Sequence, residues 1–203
     1  MKRITAFAIA LTVIIISVKF TLNFKPLYYF DIDHLSITSN TTLSRDEIVT
    51  AYDYLIYYID SSREMNFSIP NLPSSPQGSI HFQEVRAIFK KLDLLLCLCA
   101  AASAFGIYSC IKKREFSFLK LSSNFILIIS ASAILFFSVN FDQAFTLFHK
   151  LLFSNNYWLF DPATDPVINL LPEEFFFHCL LLIAACIGAS ALLLRLAYRK
   201  LRS

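Results

Sequence analysis

The stretch Phe175–Leu194, FFFHCLLLIAACIGASALLL, decides the fold. It contains no Asp, Glu, Lys or Arg. Its length matches the roughly 20 residues that a helix needs to cross the hydrocarbon layer of a bilayer. Three further runs are of similar length and apolar composition, Ile4–Leu22, Leu92–Ile111 and Leu121–Val139. In the first of them Lys19 stands near the end, where its long stem can carry the ammonium to the headgroups. The whole chain of 203 residues is 56% hydrophobic with a mean hydropathy of +0.57, which excludes a soluble domain. Twenty-one Phe against three Gly suits a lipid-facing surface better than a globular enzyme.

The expected architecture is an all-α membrane protein with four transmembrane helices and a small helical extracytoplasmic cap. Residues 1–203 read as one integral membrane domain, with spans at about 4–22, 92–111, 121–139 and 175–194. Outer loops then cover 23–91 and 140–174. Charge sets the orientation. One side carries Lys2, Arg3, Lys112, Lys113, Arg114, Lys120, Arg195, Arg199, Lys200 and Arg202 against the single acid Glu115, a balance of +9. The other side balances at −6, and the two make up the net +3. Short basic segments stay cytoplasmic, so both termini are expected inside and both long loops outside. A cleavable signal peptide is the rival reading of Met1–Leu22, but SVKFTLNFKP has no small-residue cleavage site, which favours an uncleaved anchor.

All five cysteines, Cys97, Cys99, Cys110, Cys179 and Cys186, fall inside the expected spans, so no disulfide framework holds the outer loops. They read as small apolar packing residues. Cys97-Leu-Cys99 is not a C-x-x-C pair, and a redox enzyme would need one of the two beside Cys179.

The outer loops are too long to lack structure. Ser44-Arg-Asp-Glu47 has the pattern of a capping box, and Ile48, Tyr52, Leu55, Ile56 and Ile59 follow at helical spacing, so Ser44–Asp60 is an expected amphipathic helix. Pro70, Pro73, Pro76 and Gly78 are expected to interrupt regular structure, with Ser79 capping a helix that starts near His81. In the second loop Phe141, Phe145, Phe148 and Leu152 recur at helical spacing and predict an interfacial helix. Tyr157 and Trp158 are expected at headgroup level. Asp161-Pro162 and Asp165-Pro166 are turn makers, and Pro172-Glu173-Glu174 reads as a helix start.

Four histidines are the groups whose charge changes near neutral pH. His34 lies in Asp31-Ile-Asp-His34, a polar loop, and reads as solvated. His178, early in the last span, reads as a packed or interface residue. His81 and His149 belong to different outer loops, and both lie near the start or end of a span. They could converge across a four-helix bundle. With a loop carboxylate they could also bind a metal. H-E-x-x-H and G-x-S-x-G are both absent, and three glycines cannot build a phosphate-cradling loop. Imidazole acid–base chemistry remains as the enzymatic reading. A non-catalytic membrane protein, binding lipid or polypeptide through its cap, is the alternative, and histidine geometry discriminates the two.

Phe148-His149…Phe153-Ser-Asn-Asn-Tyr157-Trp158-Leu-Phe160-Asp161-Pro162…Asp165…Leu171-Pro172-Glu173-Glu174-Phe175-Phe176, together with Ile80-His81-Phe82-Gln83-Glu84-Val85-Arg86, resembles the signature blocks of a bacterial four-span family, the lipoprotein intramolecular transacylases. The resemblance implies movement of the sn-2 acyl chain of a diacylglyceryl lipoprotein to its N-terminal cysteine amine, giving the N-acyl lyso form. It implies His81 and His149 as the catalytic residues, with Glu84, Trp158, Asp161 and Asp165 in supporting roles. Glu84, three residues after His81, is expected to orient it. His149 is taken as general base and His81 as oxyanion or leaving-group partner, an order that could be reversed. No metal or other cofactor is required. The implied partners are diacylglyceryl-modified lipoproteins and membrane lipid, with no nucleic acid. The implied location is the bacterial cytoplasmic membrane, with the active site at the outer leaflet.

Overall fold

The structure, a computed structural model, describes residues 1–202, the side chains of Ser138 and Val139 excepted. Among the described residues there is no strand. Seven α-helices follow in order: α1 (Lys2–Asn23), α2 (Lys25–His34), α3 (Arg45–Asp60), α4 (Pro76–Lys112), α5 (Ser117–Val139), α6 (Phe141–Leu152) and α7 (Glu173–Arg202). Short 3₁₀ turns cover Ile37–Asn40 and Pro166–Leu170. Helices α1, α4, α5 and α7 are each long and apolar enough to cross a membrane.

The chain divides into two compact units. The first comprises residues 1–21, 92–139 and 180–203. It holds its helices together with small side chains and sparse polar ties. Ala10, Ile126, Ile187 and Ala191 pack together, as do Ile9, Cys110 and Phe118. Gly106 lies so close to Thr5 that an added Cβ would come within 2.3 Å of its hydroxyl, the close approach that small residues permit between membrane helices. Arg195 donates to the Asn124 side-chain oxygen at 3.0 Å, and Lys19 pairs with Asp93. Leu98, Phe105, Leu127, Ile128, Leu135 and Leu193 stand exposed, as a surface solvated by lipid requires.

The second unit comprises residues 22–91 and 140–179. Its organising element is α3. Ser44 and Glu47 form the complete capping box, with the Ser44 N–H donating to Glu47 Oε2 at 2.9 Å. The apolar face predicted for α3, Ile48, Tyr52, Leu55, Ile56 and Ile59, is buried. The helix α2 is absent from the sequence reading because its residues, KPLYYFDIDH, mix apolar and acidic types without a clear period. Tertiary packing creates it. Tyr28 is fully buried, stacks on Tyr52 with centroids 3.7 Å apart and donates its hydroxyl to the Leu170 carbonyl at 2.7 Å.

One boundary differs from the expectation. Pro76 and Gly78 lie inside α4, which starts at Pro76 rather than near His81. Ser75, not Ser79, is the cap, and its Oγ accepts from the Gly78 N–H at 2.9 Å. Pro76 then sits at the first helical position, where its missing N–H costs nothing and its fixed φ helps. The helix α6 carries Phe141, Phe145, Phe148 and Leu152 as their spacing predicted, with Asn140 Oδ1 accepting from the Gln143 N–H at 2.9 Å.

Candidate active site

His81 stands on the second turn of α4, ahead of the apolar stretch Leu92–Ile111, and its position follows from how that helix begins. Asp165 Oδ1 accepts from the Ser75 N–H at 2.8 Å, and its Oδ2 accepts from the Thr164 hydroxyl at 2.9 Å. Asp165 is 4% exposed, so these bonds form away from water. A Cβ at Gly78 would fall 2.2 Å from Asp165 Oδ1, so the third residue of the helix has to be glycine for the carboxylate to fit. Asp165 thereby ties the start of α4 to the segment that follows α6.

That segment also carries the walls of the site. Phe153 and Phe160 meet the His81 ring edge-on, at centroid distances of 4.7 and 5.4 Å. Phe82 stacks on Phe160 at 5.6 Å and on Phe67 at 4.7 Å. His149, on the last full turn of α6, lies 4.2 Å from Phe145 and stacks on Trp158 at 4.9 Å. The two imidazoles stand 6.2 Å apart, centroid to centroid, tilted by 34°. They share an aromatic enclosure in which His81 is 6% exposed.

The electrostatics follow from that enclosure. Burial, and then the neighbouring His149, lowers the His81 imidazole to about 4. Burial also lowers His149, opposed by its hydrogen bond to the Phe145 carbonyl. Both rings are therefore neutral at neutral pH. The Nδ1 of His149 lies 2.7 Å from that carbonyl oxygen, which can only accept. Nδ1 must carry the proton, so Nε2 presents a lone pair. The Nδ1 of His81 is buried with no hydrogen-bond partner.

The supporting residues have different fates. Trp158 is 8% exposed, because its indole face covers His149. Asp161 is exposed and organises a turn, accepting from the Ala163 N–H at 2.9 Å. Glu84 does not orient His81: its Oε1 accepts from Asn155 Nδ2 at 2.8 Å, while His81 Nδ1 is unpartnered. Adjacent turns bring side chains near each other but do not aim them at each other. Asn155 itself escaped the sequence reading, since a lone asparagine in a loop carries no distinguishing signal.

A second polar pair was equally hidden. His178 Nδ1 lies 2.8 Å from Oδ1 and 3.0 Å from Oδ2 of the fully buried Asp31. These residues are far apart in the chain, and neither lies in a motif. His34 is exposed, as expected, though it ends α2 rather than lying in a loop, and its ring stacks on Phe30 at 5.0 Å. Among the described residues no three His, Cys, Asp or Glu side chains converge as a metal site would require.

Four membrane-length helices and a helical unit holding a neutral histidine pair define a polytopic membrane protein. The sequence profile described as Lipoprotein intramolecular transacylase Lit matches residues 3–176. The solved structure of the membrane-integral lipoprotein intramolecular transacylase Lit from Bacillus cereus superposes with a TM-score of 0.96 at 35% identity, covering 98% of this chain and 93% of that one. Two variants of the same Bacillus cereus protein, with one histidine changed to arginine or to alanine, match with TM-scores of 0.91 at 34% identity. Each covers 98% of this chain, and 89% and 91% of the respective variant chain is covered in return. No match was found among curated proteins. The chain belongs to the lipoprotein intramolecular transacylase Lit family and is an acyltransferase, which sets aside the non-catalytic alternative.

Proposed function

We propose that this protein moves the sn-2 acyl chain of a diacylglyceryl lipoprotein to the amine of its N-terminal cysteine, with His149 as base and His81 as its partner. The observation that carries the reading is the His149 tautomer. A ring whose Nδ1–H is held by the Phe145 carbonyl offers Nε2 as a proton acceptor beside a second neutral imidazole.

The amine nitrogen attacks the ester carbonyl carbon. As the C–N bond forms, the nitrogen becomes strongly acidic, so even an imidazole of lowered basicity can take its proton. His81, kept neutral by burial, supplies an N–H for the oxyanion. Collapse breaks the C–O bond, and the proton held by His149 passes to the departing glyceryl oxygen. The net change is one N–C bond for one O–C bond, with a proton moved from nitrogen to oxygen and no water consumed. Donor and acceptor belong to one molecule, so holding them in register supplies much of the acceleration.

Leu147, Phe148, Leu151 and Leu152 are exposed on α6, the helix that carries His149. Such a face belongs against lipid, where the acyl chains of the substrate lie. The charge asymmetry of the sequence supports cytoplasmic termini and a site at the outer leaflet of the bacterial cytoplasmic membrane. The test is mass spectrometry of lipoprotein N-termini from cells with and without the gene. The N-acyl lyso form should depend on it. A mixture of light and heavy acyl-labelled lipoproteins should yield no crossed product, and crossing would exclude intramolecular transfer.

A further inference from the structure

Beside the histidine pair one acidic oxygen is left without a donor. Glu84 follows His81 by three residues on α4, so the two side chains share a helix face. Its Oε1 accepts from Asn155 Nδ2 at 2.8 Å. Asn155 Oδ1 accepts from the Tyr157 N–H at 3.0 Å, which fixes the amide with its NH₂ toward Glu84. Asn155 comes two residues after Phe153, whose ring meets His81 at 4.7 Å and His149 at 5.8 Å. Glu84 therefore faces the same segment that walls the histidines. Its Oε2 is buried and has no partner.

A buried carboxylate oxygen without a donor is costly, and such an atom in a native fold calls for an explanation. The cation two residues on does not provide one. The Arg86 guanidinium donates to the carbonyls of Ser61 and Arg63 and lies 4.7 Å over the Tyr58 ring. What the oxygen lacks is a donor.

We infer that Glu84 Oε2 is the receptor for the primary α-ammonium group of the substrate. This rests on the reaction proposed above and adds the group by which the enzyme recognises its acceptor. An ammonium offers only donors and a positive charge, and a carboxylate offers only acceptors and a negative one. Once the ammonium has released one proton to water, the neutral nitrogen still donates one N–H to Oε2, and its lone pair is left to face the ester. After transfer the nitrogen is an uncharged amide with one hydrogen, so the product loses the charge-assisted contact and leaves.

The test uses the full-length protein in detergent at pH 6.5 and two probes. Each is a cysteinyl peptide with two ether-linked alkyl chains on its S-glyceryl group, one with a free amine and one N-acetylated. Ethers cannot be transferred, so binding is read without turnover. The wild type should bind the amine probe roughly 10- to 100-fold more tightly than the acetylated one, as a charge-assisted hydrogen bond implies. Glu84→Gln keeps an oxygen for Asn155 and should erase that preference while binding the acetylated probe as the wild type does. His149→Ala should keep the preference. A Glu84→Gln protein that still prefers the amine, or that weakens both probes alike, overturns the inference, as does a wild type without preference. Turnover of the matching ester substrate is measured separately. Its absence in the wild type would sink the proposed reaction whatever the probes show, whereas turnover without amine preference removes only the role of Glu84.

Discussion

Gly78 and Asp165 share a space too small for a methyl group, since a Cβ on the glycine would lie 2.2 Å from the carboxylate Oδ1. This contact sets where α4 begins and therefore where His81 stands. Gly78→Ala should destabilise by about 1–3 kcal/mol, as forced overpacking does. Asp165→Ala, which strips the Ser75 N–H of its buried acceptor, should cost about 1–3 kcal/mol. The double variant should lose less than the two single losses combined, because removing the carboxylate makes room for the methyl. Thermal unfolding of all four proteins in one detergent checks this, and strict additivity would contradict the shared-space account.

His81→Ala and His149→Ala should each lower transfer by roughly 10²-fold or more, the scale of lost acid–base catalysis, with the protein still accumulating in membranes. His34→Ala should stay close to wild type, because that ring is exposed and away from the pair. Product mass spectrometry beside an immunoblot decides. Wild-type turnover in either of the first two variants would remove the paired-histidine mechanism.

Trp158 covers one face of His149 at 4.9 Å, and its indole N–H is buried without a partner. Trp158→Phe keeps an aromatic cover and should fold normally. Trp158→Ala should lose about 3–5 kcal/mol of stability, the range for deleting a buried large aromatic side chain. Equal melting temperatures for the two variants would show that the stack contributes nothing.

Acid should unfold the site through His81. Its folded value, about 4, lies below the ordinary histidine value, so the unfolded chain takes up a proton that the folded chain refuses. The stability tied to this residue is complete above about pH 6.5 and is lost as pH falls toward 4. The melting temperature of the wild type should therefore fall relative to that of His81→Phe as pH drops across that window. A constant difference would argue against burial of the neutral ring.

The turnover profile should reflect the substrate more than the enzyme near neutrality. An α-amino group titrates at about 7.7–8.0, so kcat/KM should rise with pH and level off in that range. A further fall from loss of the imidazole base belongs below the ordinary histidine value, since both rings are shifted downward. A break at pH 6.5 in the profile would show instead an unshifted, solvated histidine.

What the sequence by itself determined was whatever rests on local pattern. Phe175–Leu194 and the three runs like it read as membrane spans because hydropathy over 20 residues is a one-dimensional property. The Ser44–Glu47 capping box and the apolar period after it placed α3, since both act within a few residues. His81 and His149 were legible as candidates from residue type and neighbouring blocks. The tertiary structure alone decided what depends on distant partners. It made Tyr28 helical through Tyr52 and Leu170, and it laid Trp158 over the face of His149. It turned Glu84 from His81 toward Asn155, and it joined Asp31 to His178. The physical reason is common to all four. A buried ring or polar group takes its environment from whichever segment packs over it, and no pattern along the chain records which segment that is.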